Sequence, residues 1–243
     1  MKLLNGATLR TLQFGSIVLA TSALVACGGS GDSPGATVSG TAAVGAAMAN
    51  ASIVLTCKNG TGSATANSNG AYSATFHFDG PCAITASSGA TTLHAFAAGA
   101  GTYNVSPLTE LLLSYLAGQL GTTVSGLLSG ITSNATFQSA LSNSTVIANA
   151  EVAVAQLIKT QYGITLSSSS FLTVSFTPGQ PGPDADLDTL QTAGAITANG
   201  QPAASLTTAA TAAGAAAPIS GGGNGGGATG GTGGTGGTGT NTK

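Results

Sequence analysis

The stretch Tyr103-Asn-Val-Ser-Pro-Leu-Thr-Glu-Leu-Leu-Leu-Ser-Tyr-Leu116 divides the chain, because the spacing of its apolar residues changes inside it. Upstream, apolar residues alternate with polar ones, as on half-buried strands. Downstream they recur every three or four residues, as on helices. Ser106 suits an N-cap, and Pro107 suits the first helical position, where a missing N–H costs nothing. Leu108, Leu111, Leu112, Tyr115 and Leu116 then line one stripe. The reading is a mainly β half followed by a helical one: a small antiparallel β-sandwich over 36–105 and a helical region over 106–218.

Working back from that junction, Thr91–Phe96 reads as a strand that leads through Gly99-Ala-Gly101 into Tyr103-Asn-Val105. Before it, Cys82, Ile84 and Ala86 share a face after Gly80-Pro81. Tyr72, Ala74, Phe76 and Phe78 share another, with Ser73, Thr75, His77 and Asp79 opposite. Asn67-Ser-Asn-Gly70 and Asn59-Gly60 are turn signals. Between them Ser63–Ala66 reads as a short strand. In Ser52–Cys57, Ile53, Leu55 and Cys57 point one way and Thr56 the other, with Val54 an exception.

Working forward, Val124–Leu128 and Ala135–Leu141 read as short helical turns. A longer helix is expected near Thr145–Tyr162, where Val146, Ile147, Ala150, Val154, Leu157 and Ile158 fall at helical spacing. Gly163 suits its C′ position. Residues 164–183 are irregular, with Phe171, Val174 and Phe176 as anchors, and weak helices are expected at Ala185–Ala195 and Ala203–Ala213. From 219 to 243 the chain is almost entirely Gly and Thr, has nothing to bury and is expected to be disordered.

The N-terminus carries a different message. Lys2 and Arg10 precede the apolar run Phe14–Ala26, which is too short for a spanning helix of about 20 residues. Residues 1–26 therefore read as an export signal. Leu24-Val-Ala-Cys27 resembles the lipobox of bacterial lipoproteins, in which the cysteine thiol is alkylated with a diacylglycerol before cleavage. That resemblance implies lipidation at Cys27 and a lipid bilayer as partner. Each buried acyl methylene contributes about 0.8 kcal/mol, and two or more chains anchor stably. Residues 27–35 are a flexible tether. By the same resemblance, Gly28 in place of Asp implies sorting to the outer membrane, facing the periplasm.

From Cys27 onward the chain holds three bases (Lys58, Lys159, Lys243) against seven acids, a net charge of about −4. Only 5% of all residues are charged, against about a quarter in ordinary domains. No basic patch exists, so nucleic acid is excluded as a partner. With Cys27 acylated, Cys57 and Cys82 remain, and an even pair in an exported chain reads as a disulfide. Both fall on apolar strand faces, which suits a buried bridge across a small sandwich. A metal site is the alternative, but two isolated cysteines without CxxC spacing do not make one.

Three segments together resemble the carboxypeptidase regulatory-like module: Val38-Ser-Gly-Thr-Ala42, Met48-Ala-Asn-Ala-Ser-Ile-Val-Leu-Thr56 and Ala66-Asn-Ser-Asn-Gly-Ala-Tyr-Ser73. That module is a transthyretin-like (immunoglobulin-like) β-sandwich with a G-x-V opening, a G-A-x-V-x-L strand and a d-x-x-G-x-Y-s hairpin. Asn69-Gly-Ala-Tyr72 matches best. Asn50 stands where Gly is usual, and the opening reads Val38-Ser-Gly40 rather than G-x-V. The resemblance covers residues 36–100. A wider likeness, to bacterial lipoproteins of unknown function, takes in Asn104–Leu111 and Asp184-Ala-Asp-Leu-Asp-Thr-Leu190. Neither resemblance implies a catalytic residue or a cofactor; the family's sandwich supports a neighbouring domain or presents a surface.

Residues for chemistry are few. His77 lies two residues from Asp79, with Ser73 and Thr75 nearby, so a Ser-His-Asp arrangement is conceivable. One strand spaces alternate side chains nearly 7 Å apart, however, at about 3.4 Å of rise per residue, and no G-x-S-x-G elbow accompanies them. Asp184, Asp186 and Asp188 give D-x-D-x-D, but a calcium loop would need Gly and Glu where Thr189 and Ala195 stand. The competing reading is an acidic helix start with Leu187 and Leu190 buried. No P-loop occurs. The expectation is a non-enzymatic, membrane-anchored envelope module with a protein or glycan partner, and without catalytic or metal-binding residues. The other readings are an accessory to a separate envelope hydrolase and, last, a hydrolase.

Overall fold

Seven strands and six helices make up the part of the chain that the computed structural model describes, residues 35–219. The export signal, Cys27, the tether apart from Gly35 and the tail from residue 220 lie outside the described residues. In chain order the strands are β1 (Ala36–Thr41), β2 (Ser52–Thr56), β3 (Thr61–Thr65), β4 (Ala71–Phe76), β5 (Cys82–Ser88), β6 (Thr91–Ala97) and β7 (Gly101–Thr102). The helices are α1 (Pro107–Gln119), α2 (Val124–Gly130), α3 (Ala135–Leu141), α4 (Ser144–Tyr162), α5 (Pro183–Thr192) and α6 (Ala204–Ala215).

The strands form two sheets, ordered β4-β1-β7 and β3-β2-β5-β6. The second is antiparallel throughout; in the first, β1 pairs antiparallel with β4 and parallel with β7. Alternation decides which faces are buried. Ile53 pairs with Ala86 and Leu55 with Ile84, and Ile84 and Ala86 in turn face Ala95 and Leu93. All six are fully buried. Val38, Tyr72 and Ala74 supply buried side chains from the smaller sheet. Strand β3 starts two residues before the expected Ser63–Ala66 and ends one residue before it, and Phe78 lies past the end of β4 as a half-buried residue.

The expected turn at Gly70 and the expected helix end at Gly163 hold. Gly70 takes φ 74°, while Asn67 Oδ1 accepts from the Asn69 and Ala71 N–H groups. Thr123, Asn134 and Asn143 cap α2, α3 and α4 through their side chains, and Gly163 ends α4 in the left-handed region. Cys57 and Cys82 are joined, as the pairing of cysteines predicts. Their placement corrects one detail. Thr56 pairs with Ala83 in the β2–β5 ladder, so the bridge closes the end of two neighbouring strands rather than crossing between sheets. In the chain-entropy picture such a closure stabilises by roughly 3 kcal/mol.

Strands and helices share one apolar core. Helix α1 is buried along almost its whole length and packs on β6, α2, α4 and α6. Its contact with α6 is the most extensive between helices and is tight: a Cβ on Gly118 would collide with the Thr211 carbonyl, and one on Gly214 with the Tyr115 carbonyl. Asn104, fully buried, ties this assembly to the irregular segment 164–182. Its Oδ1 accepts from the Thr41 N–H at 3.1 Å, and its Nδ2 donates to the carbonyls of Phe171 and Val174 at 3.0 and 2.7 Å.

Helix propensity and packing make opposite predictions at Gly118. Propensity alone favours Ala by about 1 kcal/mol, whereas overpacking a filled contact costs about 1–3 kcal/mol. Gly118→Ala and Gly214→Ala should therefore each lower the melting temperature measured by circular dichroism. A rise in either would contradict the close α1–α6 contact.

Candidate functional site

The positions singled out by sequence do not converge. His77 is exposed beyond the end of β4, and Asp79 accepts a hydrogen bond from Asn59 Nδ2 rather than orienting the imidazole. Asp184, Asp186 and Asp188 sit in α5 with separate tasks. Asp184, buried, accepts from the Gly179 N–H at 2.7 Å. Asp186 accepts from the Ser167 N–H and hydroxyl at 2.8 and 2.6 Å, and Asp188 is exposed near Gly45. Leu187 and Leu190 are buried, in keeping with an acidic helix start. Among the described residues no group of three His, Cys, Asp or Glu is placed to hold a metal ion.

A different cluster forms where the larger sheet meets the helices. A groove of about 550 Å³ is lined by Thr56, Ala83, Thr85, Thr92 and His94 of the sheet and by Glu110, Val124, Ser125, Leu128, Ser129 and Gln201 opposite. Alternation on β6 turns Thr92 and His94 outward, and the junction segment places Glu110 in the first turn of α1. Glu110 Oε1 then accepts two hydrogen bonds from one residue, the His94 N–H at 2.6 Å and Nδ1 at 2.8 Å.

Two more side chains occupy this edge of β6. The Thr109 hydroxyl donates to the His94 carbonyl at 2.7 Å, and Gln201 Nε2 donates to the Thr92 carbonyl at 2.7 Å. Three backbone groups that a bare edge strand would offer to another chain, the His94 N–H and C=O and the Thr92 C=O, are thus satisfied internally. Since the His94 N–H and C=O both point to α1, its pairing with Thr85 on β5 is of the non-hydrogen-bonded kind, which brings side chains closest. The neighbouring pair of the same kind, Ser87 and Thr92, has its hydroxyls 3.2 Å apart.

The hydrogen bond that the imidazole donates to Glu110 raises the His94 pKa above its usual 6.5. Partial burial opposes this rise, and the carboxylate charge adds to it. With Nδ1 engaged, Nε2 is the nitrogen left for a ligand; among the described residues it has no hydrogen-bond partner. A carboxylate-oriented imidazole can accept or donate a proton. Around it the groove offers hydroxyls and an amide, with no cysteine, lysine or arginine.

A second, smaller cavity of about 280 Å³ lies between α4 and the segment around Leu172. Glu151 lines it, 5% exposed, and accepts from the Leu172 N–H at 2.8 Å. Burial pushes this carboxyl up to about 7, against the lowering effect of that N–H. Sequence reading passed over His94, Glu110 and Glu151. His94 shares a strand face with Thr92, and Glu110 follows it at a helix start, but only the fold brings them together.

Among the described residues no single helix is long and apolar enough to cross a membrane. Comparison with protein families, curated proteins and solved structures finds no match for this chain.

The raised Glu151 carboxyl has a defined effect on stability. Below about pH 4.5, its ordinary value, folded and unfolded chains both hold the proton and burial carries no penalty. As pH rises from there to about 7, the unfolded chain ionises first and stability falls, by on the order of 2 kcal/mol. Glu151→Gln should flatten that part of the profile in urea unfolding measured across pH. An unchanged slope would mean that the carboxyl is solvated in the folded protein.

Proposed function

We propose that this chain is an envelope lipoprotein whose folded part is a non-catalytic binding module. In this reading residues 1–26 direct export and are removed, and Cys27 is acylated. The tether then holds the module at the periplasmic side of the outer membrane. The observation that carries the reading is the buried disulfide between Cys57 and Cys82. Such bridges persist in oxidising compartments and are rare where glutathione keeps thiols reduced. An exported chain with a cysteine at the end of its signal needs an even remainder, and the pair supplies it.

Kinship of the strand half with carboxypeptidase regulatory-like, transthyretin-like sandwiches belongs to the same proposal. Its best support is Asn50, where that family usually has Gly. Asn50 takes φ 58°, alone among described non-glycine residues in having a positive value. Asn is among the few residues that tolerate the left-handed region, so the departure keeps the backbone geometry that Gly serves.

Binding rather than catalysis is favoured by the poverty of the groove in reactive groups. It presents one oriented imidazole and several hydroxyls, but no thiol, no amine and no strained nucleophile turn. A polar ligand is favoured over an apolar protein face, because Val54 and Val152 are the only large apolar side chains exposed among the described residues.

Mass spectrometry of the protein from membranes, beside a Cys27→Ser variant, tests the anchor. The expected result is a diacylglyceryl-modified N-terminal peptide starting at Cys27, lost in the variant together with membrane retention. An unmodified N-terminus and a soluble protein would refute the lipoprotein reading.

A further inference from the structure

The outer face of the larger sheet, beside the groove, carries its polar side chains in rows set by strand register. One row runs Ser63, Val54, Thr85, His94, and the row beside it runs Thr65, Ser52, Ser87, Thr92. Thr61, Thr56, Ala83 and Phe96 form a third row, in which Phe96 is buried. Val54 is 44% exposed in the middle row, and the Ser87–Thr92 hydroxyl contact closes the second. The hydroxyl face is thus continuous with the groove and ends at the His94–Glu110 pair.

We infer that this face and groove bind a neutral, linear polysaccharide chain, laid across the strands with its end seated at His94. Three observations carry this. The first is spacing. Adjacent strands lie about 4.8 Å apart, close to the length of one pyranose unit along an extended chain. The row from Ser63 to His94 therefore spans about 14 Å and presents a new side chain to each successive unit. The second is charge. The groove holds one acid and one imidazole, bound to each other, and no lysine or arginine, so neither phosphate nor a strongly acidic glycan finds a counter-ion there. The third is the mixture of groups: Thr85, Thr92, Ser125, Ser129 and Gln201 exchange hydrogen bonds with sugar hydroxyls in either direction. Ala83, Val124 and Leu128 supply apolar wall for the C–H face of a ring.

Within this arrangement His94 Nε2 contacts the terminal sugar, so His94 is a ligand-binding residue and Glu110 a positioning one. Glu110 fixes the ring through Nδ1 and also holds the β6 edge in place. The inference rests on the binding-module reading above. It does not depend on the anchor, because binding is measured whether or not Cys27 is acylated.

The chain has two histidines, so its imidazole proton resonances report binding directly. The test uses the full-length chain purified in a detergent without a sugar headgroup. It is titrated with cellotetraose, with tetra-N-acetylchitotetraose, with the corresponding monosaccharides and with inorganic phosphate. The expected result is a saturable shift of the His94 resonance with at least one tetrasaccharide, weaker with its monosaccharide and absent with phosphate. The exposed His77 should stay unmoved.

Thr85→Val, which keeps the side chain's shape and removes its hydroxyl, should weaken binding by about tenfold, the weight of a single hydrogen bond. Its melting curve confirms that the fold is retained. A His94 resonance unmoved by both tetrasaccharides, or moved by phosphate instead, would overturn the inference. Failure of the mass-spectrometric test with sugar binding intact would refute the anchor alone.

Discussion

Asn104 is fully buried, and the three hydrogen bonds of its side chain join parts of the chain far apart in sequence. Its carbonyl oxygen holds the N–H of Thr41 at the end of β1, and its amide holds the carbonyls of Phe171 and Val174. Its own N–H donates to Leu172. Each such group left buried and unpaired would cost about 1–3 kcal/mol, so this residue determines how three segments meet. The next residues continue the joint. Val105 bridges Ala42, Ser106 and Pro107 begin α1, and Thr109 and Glu110 grip the backbone of β6. A strand half and a helical half with separate sequence periods become one core through these six residues.

The groove is a consequence of that joint. Once Glu110 must cap the β6 edge, the His94 side chain on the same residue is drawn to the same oxygen, and the imidazole is fixed with one nitrogen outward. Neighbouring hydroxyls follow from strand alternation in a chain rich in Ser and Thr. The site owes nothing to an unusual local motif. It arises where an edge strand needs covering and a helix start has an acid to cover it. The Leu172 segment, held by Asn104 on one side and Glu151 on the other, is fixed in a similar way.

What sequence could read was local. Alternation gave β2, β4 and β5 their buried faces, because each strand has one side in the core and the period there is two. Pro107, Gly70 and Gly163 marked ends because their chemistry acts within a few residues, whereas the side-chain caps at Thr123, Asn134 and Asn143 went unread. The disulfide was legible as a pair but misjudged as crossing between sheets, since sequence does not reveal which strands are neighbours. His94, Glu110, Asn104 and Glu151 were illegible as a set. Their partners lie 15 to 70 residues apart or belong to backbone groups, and no spacing rule connects them. Asp184, Asp186 and Asp188 had a visible pattern, yet the fold sends two of their carboxylates to separate points of the irregular segment 164–182, Gly179 and Ser167.

If the segment from Tyr103 to Glu110 welds both halves into one core, strands and helices should unfold together. Native-state hydrogen exchange at increasing denaturant measures this directly, residue by residue. The account predicts one common opening free energy for the slowest amides of β2 and β5 and for those of α1 and α6. Helices that exchange through a separate, less stable opening while the strands stay protected would show two independent units, and would contradict the central role given to Asn104 and its neighbours.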